Sequence, residues 1–226
     1  MLRGLVVIVA LVGVQAGLVT PTLSARLDVL PLSADQVDKS LELSTVEIVA
    51  LGCDLAQRQG TAVAIGGGRL LTNQHVVGTF RSLDVAANAE PVANASVALI
   101  NRTVDVAVIT AEAVGAPPIA FAGFDPQPGE SVWLAGFPHG PPPTGAVVLD
   151  DGLVVVPTHV VDDGHGTMRL DAPATPGMSG GPVLDRSGHL AGLVYGVQSP
   201  TNDALVVPAS VLRAVIAGGL TAGAAC

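Results

Sequence analysis

The chain has 226 residues, room for one large domain or two small lobes. Hydrophobic residues make up 49% of it but aromatics only 3%, so a core has to be built from Val, Leu, Ile and Ala. Nineteen acidic residues against ten basic ones give a net charge of −9, and Lys39 is the sole lysine. That balance argues against nucleic-acid binding and against electrostatic attraction to anionic lipid, both of which need basic patches.

The chain opens with Met1-Leu2-Arg3 and an apolar run from Gly4 to Val19. This is a charged n-region followed by an h-region, slightly short for a comfortable membrane span. Val14-Gln15-Ala16 and Leu23-Ser24-Ala25 each offer a small residue at a cleavage point. Residues 1–25 therefore read as a signal peptide, with an uncleaved N-terminal anchor as the alternative. Either places the remainder outside the cytoplasm, and the cysteines agree with that. Cys53 and Cys226 allow one intramolecular bridge in an oxidising compartment, two free thiols being the other reading.

Residues 26–43 read as a linker or short helical pro-segment. Ser33 is the expected N-cap, Gln36 completes a capping box, Leu32 can staple onto Val37, and the helix runs to about Leu41. Whether it packs on the rest is open at this level. From Ser44 the texture changes to short β-branched runs separated by turn residues, the spacing of all-β barrels. The expected strands of a first lobe, about 44–112, are Thr45–Leu51, Thr61–Ile65, Arg69–Thr72, Leu83–Ala87, Val92–Ile100 and Val104–Ile109. Gly66-Gly67-Gly68 reads as a hairpin turn, and the proline-bearing stretch from Ala113 to Gln127 as the connection between lobes. A second lobe, about 129–207, is expected from Ser131–Phe137, Gly145–Leu149, Leu153–Val160, Gly166–Asp171, Gly181–Asp185, His189–Gly196 and Ala204–Val207. Pro208 to Ile216 reads as a closing helix with proline in its first turn, within a C-terminal segment 208–226.

The chemistry centres on Pro176-Gly177-Met178-Ser179-Gly180-Gly181-Pro182. A serine among glycines sits where bulk is forbidden and backbone N–H groups can face a ligand. Acyl transfer needs such a place, with Ser179 as nucleophile and the N–H groups of Gly177 and Ser179 as oxyanion donors. The serine needs a base, and the base an orienting group. His75, closing the run Leu70-Leu71-Thr72-Asn73-Gln74, is the candidate base. Asp105 interrupts the apolar run Thr103 to Ile109, where a carboxylate is costly unless paired, and a histidine N–H is its natural partner. Asp54, Asp84 and Asp125 are rivals, but each lies in a turn or beside polar residues. Gly177-Met178-Ser179-Gly180-Gly181 also fits a nucleophile elbow, yet the chain beyond it has no room for the helical units that fold requires. His139, His159, His165 and His189 sit beside Gly, Pro or Asp and read as loop residues. No zinc-ligand spacing is present, so no metal or cofactor is expected.

In the order His, Asp, Ser the chain resembles the chymotrypsin/trypsin-like serine proteases. Thr-Asn-Gln-His stands for that family's Thr-Ala-Ala-His, Asp-Val-Ala-Val for its Asp-Ile-Ala-Leu, and Gly-Met-Ser-Gly-Gly-Pro for its Gly-Asp-Ser-Gly-Gly-Pro. The resemblance covers roughly 44–226 and is nearest to the extracytoplasmic actinobacterial members. It implies two six-stranded antiparallel β-barrels with a short C-terminal helix, and a secreted or membrane-anchored serine endopeptidase acting through an acyl-enzyme in the cleft between them. Protein or peptide substrates are the implied partners; the apolar N-terminal segment, where it stays uncleaved, is the means of membrane attachment, and a monomer is expected. The competing reading is a catalytically silent, protease-like module that binds peptides. The resemblance also implies a substrate pocket walled by Ala174, Thr175, Val194, Tyr195 and Gly196. Pro173 stands where trypsin-type members carry the acid that binds Lys or Arg, so a small apolar preference is implied, with Asp171 the nearby carboxylate that could alter it. Met178 replaces the acid used in zymogen activation, and Val194 a residue often polar, which removes one partner for Asp105.

Overall fold

A computed structural model describes residues 31–87, 90–111, 115–149, 152–162, 168–223 and 226. The targeting segment 1–25 and the start of the linker lie outside these. Helix α1 spans Ala34–Ser44, and both halves of the capping box form: Gln36 N–H donates to Ser33 Oγ, and Ser33 N–H to the Gln36 side chain. Val37 and Leu41 on its inner face are fully buried among residues of both lobes and of the C-terminal helix. Leu32 N–H bonds the carbonyl of Arg186, 2.9 Å away, at the helix entrance. Residues 34–44 are thus packed onto the body of the protein.

Lobe one comprises β1 (Thr45–Gly52), β2 (Gln57–Gly66), β3 (Arg69–Thr72), the single-turn helix α2 (Gln74–Val77), β4 (Phe80–Ala87), β5 (Glu90–Asn94), β6 (Ser96–Asn101) and β7 (Val106–Thr110). Lobe two holds β8 (Ser131–Gly136), β9 (Val147–Val148), β10 (Val154–Asp162), β11 (Met168–Pro173), β12 (Pro182–Leu184), β13 (Leu190–Gln198) and β14 (Asp203–Pro208). Helix α3 (Ala209–Gly218) follows, and the chain then returns to lobe one as β15 (Thr221–Ala222), paired with β6.

Lobe two closes as expected, since β11 pairs with both β14 and β10 and completes a ring through β13, β12 and β8, with β9 outside it. Lobe one corrects the expectation of a second closed barrel. It is an eight-stranded sheet in the order β15-β6-β7-β3-β2-β1-β4-β5, whose ladder stays open among the described residues. The run expected as one strand over 92–100 breaks at Ala95. Its first half pairs with β4 and its second with β7, so a bend in the chain brings the sheet round. Asp105 also differs from expectation, lying just before β7 rather than within it. His159, expected in a loop, lies on β10, where its Nε2 is 3.4 Å from the outward-facing Asp171 carboxylate; His165 falls outside the described residues.

One apolar cluster fills each lobe, and a third joins them, with Val63, Leu71 and Val108 from lobe one meeting Phe137, Leu184 and Leu193 from lobe two. The connection between lobes is stitched to both, by Ile119 N–H to the carbonyl of Ala64 and Ala122 N–H to that of Leu190. Asp125 in this connection accepts the N–H of Ser210 at 2.9 Å, capping α3, whose N-cap Pro208 has no side chain to do so. Cys53 and Cys226 form a disulfide with Cα atoms 5.9 Å apart. The interior is therefore continuous across the lobes, which fixes the cleft between them.

Candidate active site

Strand β3 ends at Thr72, and Asn73 turns the chain into α2, placing His75 in its first turn. Asn73 makes no side-chain cap, so the helix N-terminus is satisfied from elsewhere. Asp105 supplies it: one carboxylate oxygen accepts His75 N–H at 2.8 Å, and the other lies 2.5 Å from His75 Nδ1. The carbonyl of Asp105 accepts from Gln74 N–H at 3.2 Å and from the Asn73 amide at 2.9 Å. Asp105 adopts φ +60°, a left-handed conformation that aspartate tolerates better than most residues. This turn is what aims both its carboxylate and its carbonyl at α2. The imidazole remains 47% exposed on the cleft side, while the carboxylate is 25% exposed. Val194 is buried and adds no bond to Asp105. Of the rival acids, Asp54 is a surface residue whose carboxyl is held below its usual value by hydrogen bonds from Arg58 and from the Ala56 N–H, and Asp125 is the cap of α3.

The serine turn is built by Pro and Gly. Met178 N–H donates to the Thr175 carbonyl at 3.1 Å, closing a four-residue turn with Pro176 second and Gly177 third, at φ +94°. That is the residue pattern of a type II turn. A side chain at Gly177 would lie 2.3 Å from the carbonyl oxygen of Phe137, so only glycine fits. At Gly180 an added carbon would come within 2.0 Å of the Thr61 carbonyl oxygen. Met178, between them, is buried in the apolar core of lobe two and anchors the turn.

The backbone groups of this turn can be counted one by one. Pro176 O accepts from His139 N–H at 2.7 Å, Met178 O from Gly181 N–H at 3.0 Å, and Ser179 O from Thr61 N–H at 2.8 Å. Gly177 O accepts from the Thr61 hydroxyl at 2.8 Å, and Gly180 N–H donates to Val194 O at 2.8 Å. The N–H groups of Gly177 and Ser179 have no acceptor among the described residues. Since the carbonyl of Pro176 is turned toward His139, the N–H of Gly177 across the same planar peptide points the opposite way. The turn therefore presents two free donors beside one hydroxyl.

His75 and Ser179 converge over Gly60. A side-chain carbon at Gly60 would lie 2.6 Å from Val76, the neighbour of His75, and 3.1 Å from the carbonyl oxygen of Ser179. Ser179 Oγ makes no hydrogen bond among the described residues, to His75 included. Such bonds are commonly long before substrate binds. Around the expected pocket, Ala174 and Val194 are buried, Thr175 and Tyr195 half-buried, and Gly196 faces open space. The sequence reading missed Thr61 and the backbone of His139. A threonine in the buried run Gly60 to Ala64 was the available signal, because its hydroxyl had to find partners there.

Two β-lobes, with a histidine–aspartate pair on one and a glycine-rich serine turn on the other, define the trypsin-like class of fold. The chain belongs to the trypsin-like peptidase domain family, which matches residues 60–193. The serine protease Rv3671c of Mycobacterium tuberculosis is 29% identical over 143 residues, covering 61% of this chain and 36% of that protein. The chloroplastic Protease Do-like 2 of Arabidopsis thaliana is 29% identical over 68% of this chain and 26% of its own length. The chain thus spans about a third or less of these relatives. Among solved structures, the active form of the Rv3671c protease superposes with a TM-score of 0.72 at 24% identity, over 88% of this chain and 91% of that one. A serine endoprotease of Yersinia pestis gives 0.69 at 21% identity, over 83% of this chain and 66% of that one. At these identities the likeness is one of fold.

Proposed function

We propose that the protein is a serine endopeptidase. Ser179 attacks the peptide carbonyl, His75 takes the serine proton and returns it to the leaving amine, and Asp105 holds the imidazole and stabilises its charged form. The N–H groups of Gly177 and Ser179 receive the oxyanion, and water then releases the acyl group from Ser179. One observation carries this reading: the serine turn leaves the N–H groups of Gly177 and Ser179 unpaired among the described residues while the carbonyls of Pro176, Gly177, Met178 and Ser179 are all paired, opposite a histidine already bound by its aspartate. Unpaired donors are costly in a packed turn unless something binds there. No further group is required for the chemistry.

The expected pocket wall of Ala174, Thr175, Val194, Tyr195 and Gly196 carries no charged side chain. Pro173 offers no charge, and Asp171 is turned outward against His159. A Lys or Arg side chain there would be desolvated without a partner. Cleavage after Ala, Val or Leu is expected, with discrimination among them of only ~1–3 kcal/mol per methylene. A secreted or cell-envelope location fits the Cys53–Cys226 bridge and the apolar N-terminal run. No helix among the described residues is long and apolar enough to cross a membrane.

Treating the purified protein with a fluorophosphonate probe and a peptide library tests the activity and the pocket together. A probe adduct on Ser179 with cleavage after small apolar residues is expected. Folded protein that binds peptides without an adduct would mean a silent binding module. Cleavage mainly after Lys or Arg would refute the pocket alone.

A further inference from the structure

We infer that Thr61 is a positioning residue of the active site, whose hydroxyl sets the serine turn of lobe two in register with the histidine of lobe one. The inference rests on the protease reading above. Thr61 is fully buried on β2, in lobe one, and uses its backbone and side chain in both directions. Its N–H donates to the carbonyl of Ser179 at 2.8 Å. Its hydroxyl donates to the carbonyl of Gly177 at 2.8 Å and accepts from Phe137 N–H at 3.0 Å. Its own carbonyl accepts from the hydroxyl of Thr72 at 2.6 Å, three residues before His75.

A continuous set of bonds therefore runs from the strand that delivers His75, through Thr61, to the two residues whose N–H groups are free. Phe137 belongs to the same segment as His139, which holds the carbonyl of Pro176. The single hydroxyl thus ties together the turn, the segment behind it and the opposite lobe. An alanine or valine would pack in the space but leave the Gly177 carbonyl and the Phe137 N–H unpaired in the interior. The turn would then shift to satisfy them, and the donor on Gly177 would move with it. Oxyanion donors act only when they lie within hydrogen-bond distance of the developing charge, so a small displacement lowers turnover more than substrate binding.

The test compares Thr61→Val, which keeps shape and loses the hydroxyl, with Thr61→Ser, which does the reverse. For each folded variant, kcat and KM are measured on a cleaved peptide, together with affinity for a peptide boronic acid that mimics the tetrahedral state. Thr61→Val should lose ~10–100-fold in kcat and a similar factor in boronate affinity, with KM within ~3-fold of wild type. Thr61→Ser should retain kcat within ~3-fold. If the valine variant does not fold, Thr61→Ala takes its place, with the same expectation. Wild-type kcat in a folded variant lacking the hydroxyl overturns the inference, as does a serine variant impaired as much as the valine one. A wild-type protein without probe adduct or turnover would be a different result, sinking the protease reading and this inference with it.

Discussion

At the scale of the residue, the consequence of the His75–Asp105 contact is division of labour. The histidine is exposed enough to meet substrate, and the aspartate is spent entirely on α2, with both carboxylate oxygens and its carbonyl engaged. Ser179→Ala should abolish turnover and leave the thermal midpoint nearly unchanged, because Ser179 Oγ bonds nothing among the described residues. His75→Ala should cost about as much activity, since such groups act as a unit. Asp105→Asn keeps an acceptor for the His75 N–H but changes the group facing Nδ1, so it should lower kcat by ~10⁴-fold at neutral pH through the wrong tautomer. Steady-state kinetics on the three variants check this, and near-full activity of Asp105→Asn would mean another acid serves His75. The approach of Asp105 to His75 is legible in sequence, because a carboxylate at the mouth of an apolar run has few partners to choose from. For Thr61 only the need for partners is legible, from a hydroxyl within an apolar run; which groups it bonds is not, because they lie 76 and 116 residues away.

At the scale of the element, α1 separates local from remote information. Its start is legible to the residue, since Ser33 and Gln36 bond each other across a single turn. Its destination is not, because Val37 and Leu41 would look the same on a free amphipathic helix. The cap and the buried face predict different losses. Ser33→Ala should destabilise the protein by ~0.5–2 kcal/mol through the lost cap. Leu41→Ala should cost ~2–5 kcal/mol, the range for truncating a buried leucine. Urea denaturation of both variants measures the difference, and a silent Leu41→Ala would mean that the helix does not share the core's cooperative unfolding. The same limit explains the strand over 92–100. Alternation and β-branching show that it is extended, but the break at Ala95 comes from pairing with β4 on one side and β7 on the other, which only the tertiary arrangement sets.

At the scale of the molecule, the tail joins what the cleft divides. Helix α3 packs against β13 and β14 of lobe two, and the chain then crosses to lobe one, where Thr221 and Ala222 pair with Ile100 and Leu99. Cys226 ends beside β4, its N–H bonded to the carbonyl of Phe80, and is joined to Cys53. The bridge closes a loop of 173 residues that encloses nearly all of both lobes. Closing so long a loop restricts the unfolded chain strongly, and the chain-entropy relation puts the upper limit of that stabilisation near ~5 kcal/mol. The folded tail also holds itself through the β15 ladder, so the bridge and the ladder can be told apart by removing one of them. A Cys53→Ser/Cys226→Ser protein should fold, retain the β15 pairing and lose ~2–5 kcal/mol relative to the oxidised protein. Guanidinium denaturation of the two proteins measures that loss. Equal midpoints would show that the ladder alone secures the tail, and that fastening it to lobe one a second time through Cys53 adds nothing to stability.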